Sequence, residues 1–109
     1  MDTALLNEGL AMAMEFGTNW LQPIQKRLAK KYLQLSQAEL DEYDRVCREA
    51  MNFGQTQLGA CWREADSEQR QAVQFFRRDV LARYPWISDA NLSHLFSQAC
   101  YYAHKDGEI

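Results

Sequence analysis

Glycine and proline are scarce in this chain of 109 residues, which contains five of the first and two of the second. Collagen-like repeats, flexible linkers and most all-β folds need more of both, so the composition excludes these classes. The longest apolar stretch near the N-terminus, residues 9–14, is far shorter than the ~20 residues of a membrane span. With 47% hydrophobic and 25% charged side chains, residues 1–109 are predicted to form a single small domain.

Disulfide and targeting signals are also lacking. The chain has three cysteines, an odd number with no C-x-x-C spacing, so we expect reduced thiols rather than a disulfide framework. No basic residue precedes Lys26, which argues against a secretory or mitochondrial leader. We therefore expect a cytoplasmic protein with no membrane partner. A net charge of −3 gives no overall attraction to nucleic acid or anionic lipid, so such binding would require a local patch.

Apolar residues recur at alternating spacings of three and four along almost the whole chain, which predicts amphipathic helices. Ser36 and Glu39 form a capping-box pair, and Asp66 and Ser88 are predicted to cap the last two helices. The connectors are short, so the fold class we predict is an all-α antiparallel bundle of four to five helices. The predicted segments are 3–17, 19–35, 37–65, 67–84 and 89–105. The inward stripes of the last two are Val73, Phe76, Val80 and Tyr84, and then Leu92, Leu95, Phe96, Ala99 and Ala103.

Pro23 decides between four and five helices. Proline inside a helix removes a backbone hydrogen bond and clashes with the preceding turn, whereas in the first turn of a helix its cost is smaller. Either one helix kinks at Pro23, or a first helix ends near Gly17 and a second begins near Asn19. The two-segment interpretation is slightly favoured.

Several apolar side chains lie off the inward stripes, and this surplus is the main functional signal of the sequence. In a bundle such residues are either buried against a further helix or form an interface. We interpret them as the surface of a protein–protein interaction or regulatory module, acting on a partner or as a homodimer. The interface candidates are Leu5, Met12, Phe16, Trp20, Val46, Phe53, Phe75 and Tyr101. The predicted outer face of the last helix comprises His94, Ser97, Gln98, Tyr101 and Lys105.

Two basic clusters support an alternative function in nucleic-acid binding. If their helices were neighbours, the clusters could form one face that contacts phosphates; otherwise they are solvated helix faces balanced by nearby acids. Their members are Lys26, Arg27, Lys30, Lys31, Arg70, Arg77, Arg78 and Arg83. The acidic run 39–44 favours the start of its helix through the helix dipole, and it is also a candidate surface for a regulatory inhibitor of a basic partner.

Catalytic motifs are missing: the sequence has no P-loop, G-x-G-x-x-G, H-E-x-x-H, G-x-S-x-G or Glu-x-x-His pair. We therefore predict a protein that is not an enzyme and that has no cofactor. Cys100 and His104 stand four residues apart, a spacing at which a thiolate and an imidazole can share a zinc ion. With His94 they define a second alternative, a metal-binding or thiol-dependent protein. A structural zinc ion needs four ligands, which weighs against it.

Overall fold

The computed structural model describes residues 1–15 and 23–109, and within these ranges the chain is helical and contains no β-strand. The all-α bundle is confirmed, with five helices in the described part of the chain. They are α1 (Thr3–Ala13), α2 (Gln25–Lys31), α3 (Gln37–Glu64), α4 (Gln69–Arg83) and α5 (Asp89–Lys105). None of these helices is long and apolar enough to cross a membrane.

The long helix α3 is the centre of the bundle and packs against each of the other four helices. It begins at the predicted capping box, in which the Ser36 hydroxyl accepts from the Glu39 backbone N–H while the Glu39 carboxylate accepts from the Ser36 N–H. Its 28 residues make a rod about 42 Å long and continue through Gly54 and Gly59. The prediction of one uninterrupted helix is confirmed, and α3 ends one residue earlier than expected.

Consecutive helices alternate in direction, as an antiparallel bundle requires. Along α3 from Glu49 to Glu64, the contacting residues of α4 run backwards, from Tyr84 to Arg78. Contacts with α5 run forwards instead, since Gly54 lies against Leu95 and Gly59 lies against Glu108. Helix α1 runs in the same direction as α3, since Asp2 contacts Tyr43 and Leu6 contacts Cys47. Helix α2 runs against α3, because it pairs with α1 in reverse order, Arg27 with Glu15 and Lys31 with Glu8.

Pro23 separates two helices rather than kinking one. Helix α1 ends at Ala13 and α2 begins only at Gln25, so the predicted ends at residues 17 and 35 are wrong. Because Pro23 lies outside both helices, its missing N–H costs no helical hydrogen bond. Residues 32–36 form a turn into α3. The predicted break between Gly17 and Asn19 lies outside the described residues.

The cap predicted at Asp66 is also wrong. Helix α4 starts at Gln69, and the carboxylate of Glu68 accepts from the N–H groups of Arg70 and Gln71. Asp66 and Ser67 instead adopt left-handed backbone angles, with φ of 50° and 62°. These two residues reverse the chain between antiparallel α3 and α4. Because left-handed backbone angles are incompatible with a right-handed helix, α4 begins only after Ser67. The cap at Ser88 and the start of α5 at Asp89 are confirmed.

Helix α5 packs closely on α3, and we call this part of the molecule the closed side. At its centre Gly54 of α3 faces Leu95, and a methyl group at Gly54 would lie 2.8 Å from Leu95 Cγ. Gln98, predicted on the outer face, is only 2% exposed, which corrects that prediction. Its amide donates to the carbonyl oxygen of Met14 at 2.9 Å and accepts from Gln55 at 3.0 Å. A buried amide is stable there because both of its polar atoms are paired.

Candidate interaction groove

The structure places most of the predicted interface residues inside the bundle or against its own side chains. Leu5 is 7% exposed and belongs to the core, while Tyr101 on α5 is 56% exposed. Phe16 and Trp20 lie outside the described residues. Four other candidates are half-buried: Met12, Val46, Phe53 and Phe75.

The two off-stripe phenylalanines are covered by arginines of α4. The guanidinium of Arg83 lies 4.9 Å from the ring centroid of Phe53, and that of Arg78 lies 4.8 Å from the centroid of Phe75. Phe53 also meets the ring of Tyr84 edge-on at 5.7 Å. A cation over the face of an aromatic ring is attracted to the ring, and it also shields that face from solvent. These rings are already partnered within the chain, which weakens their interpretation as free anchors for another protein.

An apolar groove that the sequence did not reveal runs between α4 and α5, and we call it the α4–α5 groove. It encloses a cavity of about 170 Å³. Both helices pack extensively on α3 but little on each other, and the rings of Phe76 and Phe96 meet edge-on between them at 5.3 Å. The lining residues are Gln69, Val73, Phe76 and Arg77 of α4, and Leu92, Ser93, Phe96 and Ser97 of α5.

The accessible apolar surface of the groove comes from Val73 and Phe96. Both are half-buried, whereas Phe76 and Leu92 beneath them are 0% and 1% exposed. Helical spacing predicts Val73 and Phe96 as inward residues, and nothing in that spacing indicates that α4 and α5 leave a gap. The distance between two helices that both pack on a third depends on which side chains meet, so sequence periodicity could not have found this surface.

The two basic clusters do not form one face. Helix α2 lies against the first turns of α3, where Gln25 donates to Asp41, whereas Arg78 of α4 contacts Glu64 near the other end. These two positions on α3 are 23 residues, or about 35 Å, apart. The two clusters could form one phosphate-contacting surface only if their helices were neighbours, and they are not.

Four of the eight basic side chains in the two clusters are also paired with acids within the chain. The carboxylates of Glu15 and Glu8 pair with Arg27 and Lys31, and Arg77 pairs with Asp89 at 2.7 Å. Arg78 contacts both Glu64 and Asp79. Among residues 1–15 and 23–109, no carboxylate lies within 4 Å of the charged groups of the other four, which are Lys26, Lys30, Arg70 and Arg83.

The acidic start of α3 is partly engaged in its own helix. Glu42 and Glu49 both contact Arg45, and Asp44 contacts Arg48 at 3.0 Å. Glu39 is held in the capping box, where the backbone and hydroxyl of Ser36 lower its pKa. This acidic surface therefore offers a basic partner less free charge than the sequence suggests.

The thiols are poorly suited to chemistry. Burial raises the pKa of Cys47 to about 12, and burial together with the adjacent Asp79 carboxylate raises the pKa of Cys61 to about 12. Burial also raises the pKa of Cys100. The thiolate is the nucleophile and the metal ligand, so all three thiols are less reactive at neutral pH than a free cysteine.

The predicted metal candidates are spread along α5. Cys100 is half-buried, and His94 and His104 are exposed. In the described part of the chain, no group of three or more histidine, cysteine, aspartate or glutamate side chains is placed to hold a metal ion. Among the described residues, Cys100 and His104 therefore lack the further ligands that a structural zinc ion requires.

Comparisons of this chain with protein-family models, with curated proteins and with solved structures found no match.

Proposed function

We propose that this protein is an interaction module, and not an enzyme, that holds a helical segment of a partner protein in the α4–α5 groove. The observation that carries the proposal is the accessible apolar surface of Val73 and Phe96, set between two helices that pack on α3 but little on each other. Partner helices bind such grooves by laying apolar side chains at positions i, i+3 or i+4, and i+7 along the floor.

The walls of the groove suit a short helix. On α5, Ser93 and Ser97 are small and exposed, and they leave room for the side chains of an incoming segment. On α4, the wall from Gln69 to Arg77 is about 12 Å long at ~1.5 Å per residue, which matches about two helical turns. Polar groups along the rim, with apolar groups at the centre, are the usual arrangement of a protein-binding surface.

Self-association is one form of this proposal, because a second copy of the chain is a source of helical segments. Light scattering over a concentration series, with and without a groove-blocking substitution, separates a homodimer formed through the groove from binding of another protein. A cytoplasmic location is part of the same proposal, and it is supported by the three free cysteines.

The test is a selection of random 16-residue peptides displayed on phage against the immobilised protein. We expect the selected peptides to share apolar residues at helical spacing and to become helical when bound. Ser93→Trp should abolish their binding by filling the groove from an exposed position. Ala82→Trp, at an exposed position of α4 that does not line the groove, should leave binding within about twofold.

Two results would contradict the proposal. One is a selection that yields no helical spacing, and the other is equal binding of the peptides to Ser93→Trp and to the unmodified protein. Circular dichroism of both variants establishes that each keeps its helical content, so a loss of binding is not a loss of fold.

A further inference from the structure

The α4 wall of the groove is positively charged. Helix α4 carries four arginines and one acid, Asp79. The carboxylate of Asp79 points toward α3, where it accepts from Gln57 at 3.0 Å and from the thiol of Cys61 at 3.4 Å. It therefore does not offset the arginines on the groove side of α4.

Two of those arginines, Arg70 and Arg77, stand on either side of the accessible Val73. Arg77 lines the groove itself, and Arg70 lines the open pocket that continues from it past Gln69 and Val73. Arg70 has no ion pair within 4 Å in the described ranges. The carboxylate of Glu68 keeps its negative charge, but it accepts from the backbone N–H groups of Arg70 and Gln71 and not from the Arg70 guanidinium. The opposite wall contributes the neutral Ser93 and Ser97.

The acid paired with Arg77 is weakly held. Asp89 contacts the Arg77 guanidinium at 2.7 Å, but its side chain is 88% exposed. An ion pair so open to water contributes little, so a carboxylate of a bound segment can replace Asp89 on Arg77 at small cost. Arg70 offers a second cation about ten ångströms further along the helix, at ~1.5 Å per residue.

We infer that the segment bound by this groove is an acidic amphipathic helix of another protein. Its apolar residues rest on Val73 and Phe96, and glutamate or aspartate side chains along one flank pair with Arg70 and Arg77. The flank toward α5 is uncharged, because it faces Ser93 and Ser97. The acidic start of α3 in a second copy is a poor occupant, because its apolar stripe at Leu40, Tyr43 and Cys47 is buried inside its own bundle. This inference rests on the proposed function.

The experiment measures binding of the best selected peptide to charge variants of the protein by fluorescence anisotropy at low and moderate salt. We expect the selected peptides to carry net negative charge on one flank. Arg70→Gln combined with Arg77→Gln should weaken binding by about tenfold or more, and raised salt should reduce that difference. Asp89→Asn should tighten binding about threefold by releasing Arg77.

The control is Arg45→Gln together with Arg63→Gln, which removes the same charge from exposed positions on α3 that do not line the groove. Binding should stay within about twofold, apart from a small effect of net charge. Thermal unfolding of each variant establishes that the fold is retained.

Failure of the inference differs from failure of the proposed function. Selected peptides that are neutral or basic but are still blocked by Ser93→Trp would overturn the acidic partner and leave the groove as a binding site. Equal affinity for the arginine variants would do the same. A single-stranded oligonucleotide that competes with the peptide at equal concentration would also overturn it, by identifying phosphate as the ligand of the two arginines.

Discussion

The two sides of α5 show opposite outcomes of helix packing. On the closed side, Gly54 of α3 faces Leu95, so one helix backbone approaches the side chains of the other. On the groove side, the ring of Phe76 of α4 meets the ring of Phe96 of α5 edge-on, and the two helices make few other contacts. Because the distance between helices depends on the side chains at their contact, we expect the glycine to allow the close approach on one side of α5 and the two phenylalanines to hold the helices apart on the other.

Adding a methyl group at the closest approach should produce the largest effect. A Cβ at Gly54 would lie 2.6 Å from Leu95 Cδ2 and 2.8 Å from Leu95 Cγ, so the buried Leu95 side chain or one of the two helices must shift. We expect Gly54→Ala to lower the free energy of unfolding by about 2 kcal/mol, after the gain in helix propensity is included. Chemical denaturation at neutral pH measures this change.

Gly59→Ala is the matched control on the same helix. Its added Cβ would meet only the ends of flexible, exposed side chains, Glu108 Oε2 at 2.8 Å and Arg63 Nη1 at 3.3 Å. These ends can move aside, so this variant should be more stable by about 0.5–1 kcal/mol through helix propensity. If Gly54→Ala and Gly59→Ala changed the free energy of unfolding in the same direction, the contact between Gly54 and Leu95 would not be what determines how closely α3 and α5 pack.

A smaller effect is expected from two ion pairs that differ in exposure, one between α1 and α2 and the other between α4 and α5. The Glu8 carboxylate accepts from the Lys31 ammonium and from the Tyr32 hydroxyl, and these hydrogen bonds lower its pKa from the ordinary 4.5. The side chain of Glu8 is 24% exposed, against 88% for Asp89, the partner of Arg77. At pH 7, Glu8→Gln should cost about 1 kcal/mol, and Asp89→Asn less than about 0.5 kcal/mol.

The pH dependence of stability gives a further test of the Glu8 hydrogen bonds to Lys31 and Tyr32. Because the folded-state pKa of Glu8 is depressed, its stabilising contribution is present above pH 4.5 and is lost as the pH falls through the folded pKa. The difference in melting temperature between the unmodified protein and Glu8→Gln should therefore shrink below pH 4.5. If that difference in melting temperature stayed constant down to pH 3, the charge of the Glu8 carboxylate would not be what stabilises the contact between α1 and α2.

The smallest effect is expected inside the groove. Ser97 is exposed and lines the cavity, so Ser97→Leu adds a large side chain where space is open. We expect the free energy of unfolding to change by less than about 0.5 kcal/mol, because no packed atom must move. A loss comparable to that of Gly54→Ala, measured in the same denaturant series, would mean that α4 and α5 are as closely packed as α3 and α5.

Local signals in the sequence were reliable where one short motif determines the structure. The capping box at Ser36 and the cap at Ser88 placed the starts of α3 and α5 at the correct residues. The start of α4 was mispredicted because two residues that favour caps, Asp66 and Ser67, are used for chain reversal instead. Cap and turn residues belong to the same polar types, so the sequence alone did not distinguish these roles.

Helical periodicity correctly predicted which faces of the helices turn inward, but not how far each face is covered. Gln98 looked like an outer residue because it is polar, yet it is buried and paired with Met14 and Gln55. Val73 and Phe96 looked like core residues, yet they line an accessible groove. Burial depends on the neighbouring helix, which spacing along one helix does not specify.

The sequence by itself determined an all-α bundle around one long helix, because the spacing of apolar residues and the caps act within single helices. The tertiary structure decided that both phenylalanines off the stripe are covered by arginines, that the basic clusters lie apart, and that α4 and α5 leave a groove. These properties depend on contacts between residues far apart in the chain, and the size of the side chains that meet there, glycine against leucine or phenylalanine against phenylalanine, sets the gap.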